Sequence, residues 1–304
     1  MALQTRAIKR RIKSVKNTRK ITKAMELVSG SKMRKAVNSV LGTRPYARLA
    51  WDTVLKIGTA ADTSMHPLLA RHDEVKRVLL VLITSDRGLA GGFNSNMVRK
   101  TMNEIAGYGP GVQVDTVAIG KRGAEAIKRA GKPVIASFAD VTNKTKFEDV
   151  LPIGRMVVDE YVKGTYQKVV VAYTDFVSAL TQKPVILNLL PLAAPADTKE
   201  IGELSEAHDA KLEPASKTEY LFEPSPMAVL DRILPRLIET MVYQAVLESA
   251  ASEHSARMMA MRNASESAGE MIDALTFTFN QARQAGITQE IAEISSGKAA
   301  LENA

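Results

Sequence analysis

The first 58 residues place apolar side chains in a 4–3 rhythm. Ile8, Ile12 and Val15 set it, Ile21, Met25 and Val28 repeat it, and Met33, Val37 and Val40 carry it on. This spacing draws a narrow stripe along one side of an α-helix, the pattern of a helix–helix seam, whereas a helix lying on a globular core shows a broader apolar face. Irregular gaps between the triplets predict an imperfect supercoil. Gly30 and Gly42 weaken the helix locally, and Pro45 removes a backbone hydrogen bond and favours a kink. A helix from about residue 3 to 58 would be on the order of 80 Å long at ~1.5 Å per residue.

The end of the chain mirrors the start. From Pro226, a residue favoured at helix starts, Leu230, Leu234, Leu237 and Met241 step 4–3–4, and the pattern continues through Met258, Ile272, Leu275, Phe279 and Ile287. This predicts a second helix of roughly 100 Å. Its middle is rich in small residues, among them Ala250, Ala251, Ala256, Ala260, Ala264 and Ala268, which permit another helix to approach closely. Two long helices at opposite ends of a chain pair antiparallel if the middle returns to its start.

Between them the period changes. Val78–Ile83, Val112–Ile119, Val134–Phe138, Val169–Tyr173 and Val185–Leu190 are β-rich runs. Helical stretches at about 95–106, 121–130 and 148–163 alternate with the first four, which predicts βαβ units and a mostly parallel sheet. The expected class is therefore α/β, with a long antiparallel coiled coil of the terminal helices. The expected division is a coiled-coil helix at 1–58, an α/β domain at 75–192, a surface loop at 193–218 and a second coiled-coil helix at 226–304.

Charge sharpens this division. Residues 1–58 hold 15 Lys and Arg against two acids, Glu26 and Asp52, a net +13, while residues 226–304 carry a net −4. Oppositely charged ends suit two elements that lie together or that meet different partners. The chain has no cysteine, which excludes disulfides and thiolate chemistry. Its longest aliphatic run, Val78–Ile83, is far short of the roughly 20 residues that span a bilayer.

Candidate chemistry is sparse. Thr84-Ser85-Asp86-Arg87-Gly88-Leu89-Ala90-Gly91-Gly92-Phe93-Asn94 follows a strand and precedes a helix, where backbone N–H groups can hold a phosphate. It matches neither G-x-G-x-x-G nor the P-loop. The bland alternative is a tight turn using glycine at positive φ, with Asn94 or Ser95 as the helix cap. The four histidines, His66, His72, His208 and His254, show no metal-ligand spacing, and no nucleophile elbow or carboxylate pair stands out. Arg6–Lys35 holds 12 basic residues and one acid. Such a helix can follow a phosphate backbone, face an acidic protein or meet anionic lipid, but no aromatic for base stacking precedes Tyr46.

Three stretches together resemble the gamma subunits of rotary ATP synthases of the bacterial type: IKSVKNTRKITKAMELVSGSKMRKA (Ile12–Ala36), TSDRGLAGGFN (Thr84–Asn94), and ASEHSARMMAMRNASESAGEMIDALTFTFNQARQAGITQEIAEISSG (Ala251–Gly297). NLLPL and EYLFEPSP (Glu219–Pro226) fit as well. The resemblance implies an antiparallel coiled coil with an α/β domain beside its lower end. It implies a noncatalytic central rotor of the proton-translocating synthase, inserted in a ring of alpha and beta subunits and resting with epsilon on the membrane c ring. Nucleotides bind to alpha and beta in that family, so no cofactor, metal or catalytic residue is expected in this chain. Membrane association is expected only through the complex, at the cytoplasmic face of the bacterial plasma membrane, with no nucleic acid. The resemblance assigns beta-subunit contacts to Lys20, Lys23 and Met25, and to Arg283, Gln284, Thr288 and Gln289. Gly286 replaces the usual Ala or Ser, and Lys298 and Glu302 place charge where the family has a small apolar tip, so that tip is expected either to protrude beyond the apolar sleeve of the ring or to be loosely held in it. A basic coiled-coil adaptor for nucleic acid and an α/β nucleotide enzyme built on Gly88–Gly92 are the competing readings.

Overall fold

The structure, a computed structural model, describes residues 2–60, 66–70, 72, 74–192, 223 and 225–302. The expected loop at 193–218 lies outside them. Eleven elements follow in the order α1 (Ala2–Ala60), β1 (Arg77–Ile83), α2 (Phe93–Gly107), β2 (Gln113–Ile119), α3 (Lys121–Arg129), β3 (Val134–Phe138), α4 (Val141–Lys144), α5 (Phe147–Val162), β4 (Lys168–Phe176), β5 (Gln182–Leu190) and α6 (Pro226–Glu302). Pro45 and Pro235 both sit inside their long helices. The chain divides into two compact units, one of Met1–Val28 with Met258–Ala304, the other of Ser29–Arg257.

The larger unit is built on a five-stranded sheet ordered β3-β2-β1-β4-β5. β1 to β4 run parallel and β5 closes one edge antiparallel to β4. A central parallel strand is covered on both faces and so reads as an unbroken apolar run. β1 is that case, with Val78 to Ile83 all at 0% exposure. Its alternate side chains feed two cores. Leu79, Val81 and Ile83 join α5 (Ile153, Val157) and the lower part of α6 (Leu234, Leu237, Val242). Val78, Leu80 and Leu82 join Met97 and Ile105 of α2 and Ile127 of α3. The α5–α6 contact is close because of Gly154, where a Cβ would lie 3.1 Å from the Cα of Glu239.

Within this unit α1 also lies against α6, through Ala36, Ala250 and Ala251 with Phe176, and through a Thr43–Gln244 hydrogen bond. Partners descend along α6 as they ascend along α1, so the pair is antiparallel. Its alanines are what allow the helix axes to approach.

The smaller unit is a helix pair. The inward residues of α6 are Met261, Ser265, Ala268, Ile272, Leu275 and Phe279, each buried or half-buried, in an unbroken 4–3 alternation that satisfies the seam rule. On α1 the seam holds Ile8, Ile12 and Val15 as expected. It then departs from the sequence reading: Ile21 and Val28 are 61% and 58% exposed, while Thr22 is 8% exposed. Continuing the 4–3 step from Val15 gives positions 19, 22 and 26, so Ile21 sits one residue, about 100°, off the stripe. Thr22 is accepted in the seam because its hydroxyl donates to the Arg19 carbonyl one turn back, at 3.1 Å. Arg19 also lies over Gly269, its Cζ 3.4 Å from where a Cβ would stand.

Candidate functional site

The basic character of α1 gathers into a groove. In the smaller unit a cleft of about 1230 Å³ runs beside the helix pair, lined by Lys9, Lys13, Lys16, Lys20 and Lys23 on α1 and by Arg262 and Glu266 on α6. Lys20 is exposed. Lys23 is paired with Glu26 at 3.0 Å, and Met25 is half-buried in the helix. Beside these charges stand exposed Ile21, Leu27 and Val28, at 58–65% exposure. Cations interleaved with apolar side chains suit an acidic protein surface that also buries some hydrocarbon.

The far part of α6 offers a different surface. Beyond Phe279 nearly every described residue is exposed, with Ala282 and Gly286 half-buried. Arg283, Gln284, Thr288 and Gln289 all point to solvent, Thr288 donating to the Gln284 carbonyl at 3.1 Å and Gln289 to Glu293 at 2.9 Å. Ile287, Ile291 and Ile294 stand at 50%, 62% and 74% exposure, a 4–3 stripe on a helix stretch that buries little of itself. Lys298 is exposed as well. The two sets of predicted contact residues therefore lie on distinct surfaces: Lys20 and Lys23 line the groove, and Arg283, Gln284, Thr288 and Gln289 decorate the outer helix.

The glycine turn is built as a structural joint. The Asp86 carboxylate accepts from the backbone N–H of Lys121, the first residue of α3, at 3.1 Å and of Asp140, just before α4, at 2.8 Å. The next α3 amides, of Arg122 and Gly123, donate to the Ser85 carbonyl and the Thr84 hydroxyl, so these amides that an anion would use are already taken. Asn94 reaches back to Ser85, whose N–H donates to its side-chain oxygen at 3.0 Å. It does not cap α2. The N-cap is Gly92, without a side-chain cap, and Ser95 donates to the Gly92 carbonyl instead. Asn94 is drawn away because the Ser85 amide, two residues past the end of β1, is buried and needs an acceptor. Positive φ is shared between Gly91 (54°) and, against expectation, Leu89 (64°).

Sequence reasoning missed what fills the crevice at the carboxyl ends of β1 and β4, where the strand order reverses and doubly wound folds place their ligands. Pairing of β1 with β4 ends at Leu82 and Ala172, which leaves the β4 backbone beyond it without a strand on that side. Residues of α6 complete it. Ser249 accepts from the Thr174 N–H at 3.1 Å, Ser252 donates to the Thr174 carbonyl at 3.2 Å, and Glu248 accepts from the Phe176 N–H at 3.3 Å. Further along, Ser255 donates to the Ala179 carbonyl at 2.6 Å. The available signal was a run of buried polar residues, Glu248 to Arg257, inside an otherwise apolar and alanine-rich stretch. His254 lies in this seam. Its pKa is pushed down to about 4 by burial first, then by the charges of Arg257 and Lys32, so its ring is neutral at pH 7.

Comparison with known proteins identifies the family to which the chain is related. The chain matches the family described as ATP synthase over residues 4–301. It is 46% identical over 296 residues to the ATP synthase gamma chain of Heliobacterium modesticaldum, covering 97% of this chain and 98% of that one. It is 45% identical over 304 residues to the gamma chain of Herpetosiphon aurantiacus, with the same shares covered. Among solved structures, the fold is similar to a chain of the Euglena gracilis mitochondrial ATP synthase assembly of OSCP, F1 and c-ring, with a TM-score of 0.65 and 21% identity over 99% of this chain and 95% of that one. It is also similar to a chain from the central stalk and c-ring of the Tetrahymena thermophila enzyme, with a TM-score of 0.59 and 24% identity over 81% and 99%. The identity to relatives over nearly the full length, and a fold in which paired terminal helices accompany a mostly parallel sheet, lead to one assignment: the chain belongs to the family of ATP synthase gamma chains.

Proposed function

We propose that this chain is the noncatalytic central rotor of a bacterial ATP synthase, carrying torque between the membrane c ring and the catalytic ring of alpha and beta subunits. The single observation that carries the reading is the outer part of α6, a long helix past Phe279 whose apolar stripe Ile287, Ile291, Ile294 has no cover within the chain's described residues. In a family of rotor chains such a helix is a shaft end, and its cover is the ring around it. One asymmetric shaft makes three identical beta subunits inequivalent. Differential contacts in each position supply the coupling free energy that cycles nucleotide affinity.

On this reading Lys20, Lys23 and Met25 oppose acidic loops of beta, and Arg283, Gln284, Thr288 and Gln289 form a second beta contact. The parts divide as shaft helices at 1–58 and 226–304 and an α/β domain at 75–192 that meets epsilon and the c ring. The complex sits at the cytoplasmic face of the plasma membrane. This chain joins it peripherally, in keeping with the finding that no described helix is long and apolar enough to cross a membrane. The nucleic-acid reading of the basic helix has no support from the family.

The chain lacks cysteine, so Arg283→Cys introduces a unique thiol. Paired with a cysteine on the facing beta loop, it should form a disulfide if the Cα atoms come within about 7 Å. At most one of three beta subunits should crosslink, oxidation should stop both synthesis and hydrolysis, and reduction should restore them to the level of the reduced mutant. Near-full activity with the crosslink complete would refute the shaft assignment.

A further inference from the structure

The turn from Asp86 to Gly91 is held from two sides, and the second hold has no part in forming the sheet. Its side chains Arg87 and Leu89 are exposed, and Leu89 keeps φ at 64°, a conformation that costs a non-glycine residue and persists only where neighbours impose it. Asp86 fixes one end to α3 and Asp140. The two residues that follow are held by Arg257 of α6. Its Nη2 donates to the Arg87 carbonyl at 3.4 Å and to the Gly88 carbonyl at 3.3 Å, and its Nε donates to Gly88 at 3.4 Å.

Arg257 is aimed by Glu253, one turn back on α6, whose Oε1 accepts from Nη1 at 2.8 Å. A guanidinium is a rigid fork, so fixing one edge on a carboxylate fixes where the other edges donate. Glu253 is 2% and Arg257 9% exposed. Burial raises the Glu253 carboxyl pKa, partly offset by the charge and hydrogen bond of Arg257. A buried ion pair is weak support for stability, because desolvation offsets much of the attraction. What such a pair does well is define a unique arrangement.

We propose that Arg257 is a positioning residue that latches the Asp86–Gly91 turn to α6, so that torque passes between the sheet and the shaft helix through this joint. The latch rests on the rotor reading for its purpose, but its geometry stands within one compact unit. Ser249 and Ser252 stitch α6 to the end of β4, and Arg257 stitches the same helix to the end of β1. Together they key α6 to the two central strands at the point where the sheet would otherwise take a ligand.

Two measurements test this. The first is the rate at which trypsin nicks the full chain after the exposed Arg87. Arg257→Ala should speed nicking by about tenfold or more, as local opening of the turn becomes easier. Arg257→Lys, which keeps the charge beside Glu253 but not the fork, should recover part of the protection. Because Arg257→Ala leaves a buried carboxylate unpaired, Glu253→Leu with Arg257→Met serves as the folded control without buried charge, and it should nick as fast as Arg257→Ala. A nicking rate within about twofold of the parent in that folded double variant would overturn the latch. The second measurement is proton pumping per ATP hydrolysed in the assembled synthase. It should fall in Arg257→Ala and recover in Arg257→Lys. Fast nicking with unchanged pumping per ATP would overturn the torque role. Failure of the parent chain itself to assemble with a catalytic ring would instead refute the rotor reading, so the two failures are distinguishable.

Discussion

Replacing His254 by Gln should remove an acid-sensitive part of the stability of the larger unit. The ring is 4% exposed, and its folded pKa is lowered to about 4 from the ordinary 6.5, by burial first and then by Arg257 and Lys32. Arg257 Nη1 lies 3.5 Å from Nδ1, an arrangement only a neutral ring with its proton on Nε2 can accept. The unfolded chain takes up its proton near 6.5 and the folded chain only near 4, so below 6.5 the unfolded state binds more protons. Stability from this group is therefore fully present above about pH 6.5 and is lost progressively as pH falls toward 4. Linkage gives a loss of about 2 kcal/mol at pH 5, an order-of-magnitude figure. Glu253 works in the opposite sense: its raised folded pKa means the folded chain protonates first, which stabilises it as pH falls. The quantity to measure is thus the difference between parent and His254→Gln, by urea unfolding followed with circular dichroism at pH 7.5 and pH 5. Gln is neutral throughout and can still accept from Arg257. The parent should lose about 2 kcal/mol more than the variant between the two pH values. Equal losses would mean that His254 is solvated or already charged when folded, and the account of the seam would fail.

Three further outcomes follow from single contacts. Gly120 has φ +97°, and a Cβ there would lie 2.1 Å from the Thr84 carbonyl oxygen. Gly120→Ala should therefore cost about 4 kcal/mol or more and lower the melting temperature sharply in a calorimetric scan. Leu237, 2% exposed among α5 and sheet residues, should lose about 3 kcal/mol as Leu237→Ala, read by the same scan. Asp115 is buried, but its pKa falls below the usual 3.8 because bonds from Gln113, Arg77 and Tyr166 together outweigh the burial that would raise it. Its stability is present above pH 3.8 and lost as pH falls through the folded value, so Asp115→Asn should cost about 2 kcal/mol at pH 7 and flatten the acid limb of the stability curve.

The strands were legible because a central parallel strand must be apolar on both faces, and β1 could be read directly from Val78–Ile83. The helix ends were legible for the same kind of reason, since Pro226 begins α6 as its fixed φ favours. The phase of the seam was not. Ile21 and Val28 fit the seam by hydrophobicity alone, yet both are exposed. Here hydrophobicity fails as a sign of burial in both directions. The seam buries Thr22, Ser265 and Ala268 alongside its larger apolar residues; on the rotor reading, exposed apolar side chains such as Ile21 and Val28 are the ones a surrounding ring would cover. The 4–3 step from Val15 leads to Thr22, whose burial its hydroxyl disguises.

The filled crevice was illegible for a deeper reason. A doubly wound sheet with a glycine turn at the end of β1 invites a ligand at its switch point, and the sequence carries that invitation locally. What cancels it comes from 75 to 170 residues away in the chain, where Ser249, Ser252 and Arg257 bond the backbone at Thr174, Arg87 and Gly88. Serines in an alanine-rich helix are unremarkable one by one, and each could have back-bonded within its own helix. They become meaningful only when the end of β4 is seen to extend beyond its pairing with β1. An α/β fold thereby spends its binding crevice on its own terminal helix. On the proposed latch, that use suits a chain whose work is mechanical: the switch point of the sheet holds the helix that would carry torque.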